Sequence, residues 1–519
     1  MVDTGTAEAP AVGNETGDAS VANTAPVGRT LAPALTFILV LAMAYGFEVF
    51  SFHLTLDEES FGETSSTEYA QIWLAQGRWA MAALTLLVPS PVVPVVSTFI
   101  GVTLTGLALW TLCRRYFHMG PWQTVLSGAL AATIPTLAFM FSFSTIAYGI
   151  GIGNILLVIY FAGMSSSKWL NRGIGVVALV LAVGIYDSFL VAGAALAVAL
   201  LFKRPQWSTA GFAVASLGLA YFVSKAVATV GQGIRGLSPD SYTNQFIDLV
   251  GLISDPAGRV RQALSSVRQV VTLSAERFGL HSPWLAIALG ALIVLAAVST
   301  FGVVGRRAKA TRLSALAVLL LLPVGIEAVA PTPVLLRSMI YLPIIVVVLA
   351  GLAVKGAELF SARVKYSVLA FVGAAIILAI VGQATISNRL FAASEMTYAQ
   401  DQNLAFLIGL EKERLTDRPK VESIPVVFAG THSWSEASLV PARETLGISF
   451  FAGLGGTDNL QQRNAAFLRS QGVAVRAATE LEAEGANASL DAMPSYPAPG
   501  WMAYEGGVLL INFGTPDVR

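Results

Sequence analysis

Three acids in a row, Asp57-Glu58-Glu59, close the segment Phe52-His53-Leu54-Thr55-Leu56-Asp57-Glu58-Glu59, directly after an apolar stretch at 31–50. Carboxylates this near hydrocarbon lose part of their hydration, which makes them better proton acceptors. Asp57 and Glu58 could act as a general base on a sugar hydroxyl, bind a divalent cation (Mg or Mn) as a metal pair, or hold a basic acceptor group. A solvated loop is the plain alternative. His53, four residues before Asp57, is a candidate substrate contact by proximity alone.

Cations supply the opposite chemistry. Arg78, in Trp73…Gln76-Gly77-Arg78-Trp79, and Arg337, after Pro331-Thr332-Pro333-Val334-Leu335-Leu336, both sit beside apolar stretches. A guanidinium offers a planar fork to phosphate or carboxylate oxygens. Both are candidate phosphate-binding residues, as is Lys225 near the end of another apolar run; lipid headgroups or structural acids would occupy them equally well. Asp187, next to Tyr186 between two apolar halves, is either a buried functional acid or a turn residue. Tyr186, Glu327 and Trp79 complete the substrate-binding candidates.

Other chemistries lack residues. Net charge is zero, so no nucleic-acid partner is implied. Cys113 is the single cysteine, His118 lies on the basic side and reads as capping an element, and His281 and His432 have no metal-ligand spacing. Gly453-Leu454-Gly455-Gly456-Thr457 lacks the lysine of a phosphate loop and reads as a turn. Asn487-Ala488-Ser489 is a formal glycosylation acceptor only.

The elements that must position these groups are dominated by hydrocarbon. The chain has 519 residues, 55% hydrophobic and only 12% charged, where soluble domains average about 25% charged. Apolar stretches near the roughly twenty residues that cross a bilayer lie at 31–50, 94–112, 122–140, 145–163, 173–185, 188–202, 209–228, 284–304, 313–330, 338–354 and 366–384. The expected fold class is therefore a polytopic α-helical membrane protein with about eleven transmembrane helices. The run 173–202 would make one helix of about 45 Å, or two of about 20 Å turning at Tyr186–Asp187–Ser188. Charge arbitrates. With the hairpin, one set of loops collects thirteen bases (Arg114, Arg115, Lys168, Arg172, Lys203, Arg204, Arg306, Arg307, Lys309, Arg312, Lys355, Arg363, Lys365) against one acid, Glu358. Basic short loops mark the cytoplasmic side. This predicts a cytoplasmic N-terminus and an extracytoplasmic C-terminal domain.

Residues 1–28 read as a disordered cytoplasmic tail, 29–386 as the membrane domain, and 387–519 as a small extracytoplasmic α/β domain. Two outer loops are long, 51–93 and 229–283. Gln76–Val88 is expected to form a helix at the membrane interface, and Ala257–Phe278 an amphipathic one. In the tail, strands are expected at Val421–Ala429, Val473–Arg476 and Val508–Phe513, the last returning into the sheet. Helices are expected at Glu395–Leu415 and Asn459–Gln471.

The order of these features resembles the GtrII family of polytopic bacterial glucosyltransferases. The acidic pair after the first span, the Gln76-Gly77-Arg78-Trp79 segment, the Tyr186 hairpin, the Pro333…Arg337 segment and Met493-Pro494-Ser495-Tyr496-Pro497…Leu509-Leu510-Ile511-Asn512 carry the likeness. What it implies is a GT-C-like membrane enzyme. It would move a hexose, typically glucose, from a polyprenyl-phosphate-linked donor to a cell-envelope glycan outside the bacterial cytoplasmic membrane. Asp57 matches the family's first acid; Glu58 replaces an aspartate, and Glu59, Glu63 and Glu68 make the following segment unusually acidic. Donor, glycan acceptor and membrane lipids would be the partners. A transporter or flippase of a lipid-linked glycan, or a non-catalytic envelope scaffold, would share the many spans.

Overall fold

The computed structural model describes residues 28–59, 64–88, 94–204, 206–239, 248–302, 305–416, 423–434, 444–453 and 457–514. Most of the expected tail 1–28, Glu63 and Leu454–Gly456 lie outside them.

The membrane part begins with α1 (Gly28–Phe50), α2 (Ser66–Ala75), α3 (Trp79–Leu87), α4 (Pro94–Thr111), α5 (Pro121–Ala132), α6 (Ala138–Phe141) and α7 (Ala147–Ser165). It continues through α8 (Trp169–Ile185), α9 (Phe189–Lys203), α10 (Trp207–Arg235), α11 (Leu249–Ser254), α12 (Pro256–Val271) and α13 (Ala275–Phe278). It closes with α14 (Trp284–Phe301), α15 (Arg306–Val329), α16 (Leu342–Ala357) and α17 (Ala362–Thr416). Seven of these helices, α1, α4, α7, α10, α14, α15 and α17, are long and apolar enough to cross a membrane. Three more apolar helices, α8, α9 and α16, have 17, 15 and 16 residues, about 23–26 Å each, short of the hydrocarbon thickness unless flanking backbone completes the crossing. The chain turns between α8 and α9 at Tyr186–Ser188, as the charge pattern required.

Two expectations need correction. The stretch 122–140 is not one helix: α5 stops at Ala132 and only the short α6 follows. Pro135 supplies no N–H donor, which disfavours a continuous helix. The groups freed inside apolar surroundings are met by neighbours, as they must be. Tyr45 donates to the Ala132 carbonyl at 2.6 Å, Thr98 to that of Phe141 at 2.9 Å, and Ser97 to that of Ser144. The second correction concerns the helices expected at 366–384 and Glu395–Leu415, which are one. Residues 385–395 contain neither Gly nor Pro, and α17 runs unbroken for 55 residues, about 82 Å. One rod thus leaves the bundle and enters the C-terminal domain.

Close helix approach depends on small residues. A β-carbon on Gly151 of α7 would lie 2.9 Å from the Gly101 carbonyl of α4, closer than side chains pack. Basic residues gather at one end of the bundle: Lys203 donates to the Tyr116 carbonyl, Arg204 to Ser165 and Arg172 to Ser166.

The C-terminal domain adds β1 (Ile424–Ala429), α18 (Thr457–Ser470), β2 (Val475–Ala477), α19 (Glu480–Ala492), β3 (Met502–Glu505) and β4 (Val508–Asn512). The strand order is β2-β1-β4-β3, with β1 parallel to β2 and β4 and β3 antiparallel to β4. The last strand does return into the sheet. Strand β3 and helix α19 were not anticipated. Side chains alternate with period two: Val426, Phe428, Leu509 and Ile511 join Leu404, Ile408 and Phe467, while Val427, Val508 and Leu510 meet Leu490 of α19.

Candidate active site

The loop after α1 is fastened to two bodies at once. Leu54 and Leu56 are buried in the core of the C-terminal domain, beside Tyr398, Phe450 and Phe467. Burying a leucine contributes about 1.5–3 kcal/mol, so this loop holds the domain against the bundle. Between them Thr55 turns the other way, and Glu58 follows it into the bundle. One oxygen of Glu58 accepts from the Ser144 backbone at 2.7 Å and the Ser144 hydroxyl at 2.6 Å; the other accepts from the backbone and hydroxyl of Thr55, both at 3.1 Å. Burial raises the Glu58 pKa, and these donors partly oppose the rise. The break between α5 and α7 is what places Ser144 there.

Asp57 sits at the tip of this fastened turn, with φ of 82°. That left-handed backbone is uncommon outside glycine, though less so for Asp, and strained residues concentrate at functional sites. With both neighbours pinned, its half-exposed carboxylate projects between two guanidiniums. Arg463 of α18 donates to one oxygen at 3.0 Å, and Arg337 Nη1 lies 3.8 Å from the other. Arg463 also donates to Glu59, whose pKa burial raises and Arg463 draws back down. Arg337 rests over the Phe143 ring, its carbon 5.5 Å from the centroid. The backbone N–H groups of Leu336 and Arg337 donate to half-buried Glu444 at 2.5 and 3.5 Å. Burial raises the Glu444 pKa first; those donors and the charges of Arg277 and Arg337 work against it.

The two acids expected to work as a pair therefore point apart. Asp57 faces the two arginines, and Glu58 is spent on Thr55 and Ser144. Among the described residues no three His, Cys, Asp or Glu side chains converge to hold a metal ion. His53 is buried, its Nε2 3.4 Å from Glu48 Oε2. Desolvation lowers its pKa to about 4, so at neutral pH this contact joins a neutral imidazole to the acid and is no ion pair.

The remaining candidates form a second patch. Arg78 lies over the rings of Tyr186 and Trp73, 4.6 and 5.2 Å from their centroids, a cation–π arrangement. The Tyr186 hydroxyl is 3.1 Å from that of Ser338, next to Arg337, which links the patches. Lys225 donates to Asp187 at 3.0 Å, and Trp79 donates to Ser224 at 3.1 Å. Glu327 is buried, accepting from Ser266 at 2.7 Å and the Val334 backbone at 3.1 Å. Arg463 and Glu444 were missed from sequence. Arg463 is one polar residue on a polar helix, and only the docking of α18 against the first loop distinguishes it.

A carboxylate beside paired guanidiniums can take a proton from a hydroxyl while an anionic leaving group is held in reach. The family model described as "Glucosyl transferase GtrII" matches residues 46–399, most of the chain, a stretch within which Asp57, Arg78, Tyr186 and Arg337 all fall. The chain belongs to the GtrII glucosyl transferase family. Neither a curated protein nor a solved structure matches it. The GtrII match ends within α17, so the segment Met493…Asn512, which carried part of the sequence likeness, lies beyond it, as do Arg463 and Glu444. Membership implies a glucosyltransferase, and the apolar helices place it among membrane proteins.

Proposed function

We propose that this GtrII chain is a GT-C-like enzyme that moves a hexose, glucose by its family, from a polyprenyl-phosphate donor to a cell-envelope glycan. The carrying observation is the Asp57 carboxylate set between Arg337 and Arg463 where the bundle meets the C-terminal domain. Asp57 is the general base: it accepts the proton of an acceptor hydroxyl as that oxygen bonds to the anomeric carbon. The bond from that carbon to the donor phosphate oxygen breaks, leaving polyprenyl phosphate, and a single displacement inverts the anomeric centre. Arg337 meets the growing phosphate charge with paired donors. Arg78, on the ring of Tyr186, and Lys225 extend the cationic side of the donor site. Glu58 is a positioning residue that aims Asp57.

The reaction belongs on the extracytoplasmic face of the bacterial cytoplasmic membrane. A lipid-linked donor is the form in which activated sugar is present there, and the basic loops lie at the opposite end from Asp57. In a Cys113→Ala background, an impermeant thiol reagent added to cells should label Thr67→Cys and spare Ser167→Cys; the reverse pattern overturns this sidedness.

The direct test offers purified protein a polyprenyl-phosphate glucose and a glycan acceptor in detergent, reading product mass. Transfer there cannot come from transport. Asp57→Asn should lower turnover about 10²–10⁴-fold with folding retained. Turnover above half of wild type would refute the base assignment.

A further inference from the structure

Helices α11 and α12 present a face that the bundle does not cover. Val250 and Ile253 are 79% and 80% exposed, and Val260 and Leu264 continue the apolar row along α12. Arg261 and Arg268, seven residues apart and so on one side of the helix, are exposed beside it. The opposite face grips the chain that carries Arg337. The Asp248 N–H donates to the Val329 carbonyl at 2.7 Å, and Arg259 donates to the carbonyls of Ala330 and Pro331 at 2.9 and 2.8 Å. Ser266 donates to Glu327 at 2.7 Å, and Arg277, just past α12, to the Val334 carbonyl at 2.6 Å.

Helix α15 has 24 residues, about 36 Å, longer than the roughly 30 Å hydrocarbon layer. Its last turn, where α12 crosses, therefore lies at the membrane boundary. Leu313, Val318 and Leu321 on α15 are exposed, so an apolar outer surface runs along this helix toward α12. An apolar row flanked by arginines at that depth has the form of a helix lying in the headgroup plane.

We propose that α11–α12 is a docking surface for anionic phospholipid. Ile253, Val260 and Leu264 enter the acyl boundary, and Arg261 and Arg268 meet headgroup phosphates. Because the inner face holds residues 327–334, the lipid surface sets the position of the Arg337 loop, and anionic lipid tunes donor binding. The tuning rests on the transfer reaction proposed above; the lipid contact does not.

The test uses full-length protein in nanodiscs of phosphatidylcholine alone or with phosphatidylglycerol. An environment-sensitive dye on Ile253→Cys, in the Cys113→Ala background, reports depth without any substrate. Quenching by spin-labelled lipid, stronger with phosphatidylglycerol, is expected; quenching by aqueous iodide alone would overturn the docking surface. Each arginine near an anionic surface is worth about fivefold in binding. Arg261→Gln with Arg268→Gln should therefore remove the phosphatidylglycerol dependence of both dye depth and donor KM, leaving transfer in pure phosphatidylcholine unchanged. If the double variant keeps the wild-type dependence, or wild type shows none, headgroup recognition by these arginines is refuted. Lipid quenching in a sample that transfers no sugar would leave the docking surface standing and remove the enzymatic reading alone.

Discussion

Asp57 and Arg463 are 406 residues apart in the chain and 3.0 Å apart in space. One stands on the loop leaving α1, the other on α18 of the C-terminal domain, beyond the segment matched by the family. The domain thus contributes a side chain to the site in addition to the apolar pocket that receives Leu54 and Leu56.

If Arg463 holds Asp57 in its reactive orientation, Arg463→Ala should lower kcat/KM by up to about 10²-fold, the cost of a misplacement near 1 Å. Arg463→Lys keeps the charge and loses the fork, so it should fall between. Steady-state transfer by folded protein decides. An unchanged kcat/KM in R463A would leave the domain only a tether.

Arg337 and Glu444 should separate binding from placement. Arg337→Ala should weaken donor binding and slow transfer, with Arg337→Lys intermediate. Glu444→Ala leaves the Arg337 guanidinium in place but frees the two N–H groups that fix its backbone. It should cost about 1–3 kcal/mol of stability and raise donor KM with a smaller change in kcat. Normal donor KM in both folded variants would remove the phosphate role.

Glu58 is expected to act through structure. Glu58→Ala strands the N–H groups of Thr55 and Ser144 in a buried site, at about 1–3 kcal/mol for each unsatisfied group. Glu58→Gln keeps the shape and loses the charge. Thermal unfolding should rank wild type above E58Q and E58Q above E58A. Equal midpoints with abolished turnover would instead place Glu58 in the chemistry.

His53 supplies a pH signature. Its folded pKa of about 4 lies below the ordinary 6.5, so the folded state disfavours its protonation. Its contribution is therefore complete above pH 6.5 and is lost as pH falls from 6.5 to 4, roughly 3 kcal/mol in all. Glu48, at 3.4 Å, is the carboxylate facing it. Wild type should lose this stability relative to His53→Gln across that window; parallel unfolding curves would show that His53 is not the group.

Hydropathy and charge in the sequence alone determined the apolar helices, the turn at Tyr186–Ser188, the placing of acids at one end and bases at the other, and a small α/β tail. These depend on transfer of single segments between water and hydrocarbon, and on periods of 3.6 and 2 that each segment carries within itself. The break at Pro135 was legible in principle, since proline lacks the donor a helix needs, but hydropathy averages across it. Tertiary structure alone decided which acid faces the site. Asp57 and Glu58 are adjacent and chemically alike, and only Ser144, brought in by that break, turns Glu58 inward. Tertiary structure also brought Arg463 and Glu444 to Asp57 and Arg337, because a contact between elements is set by how their buried faces dock, and no local pattern encodes the polar residues that docking brings together.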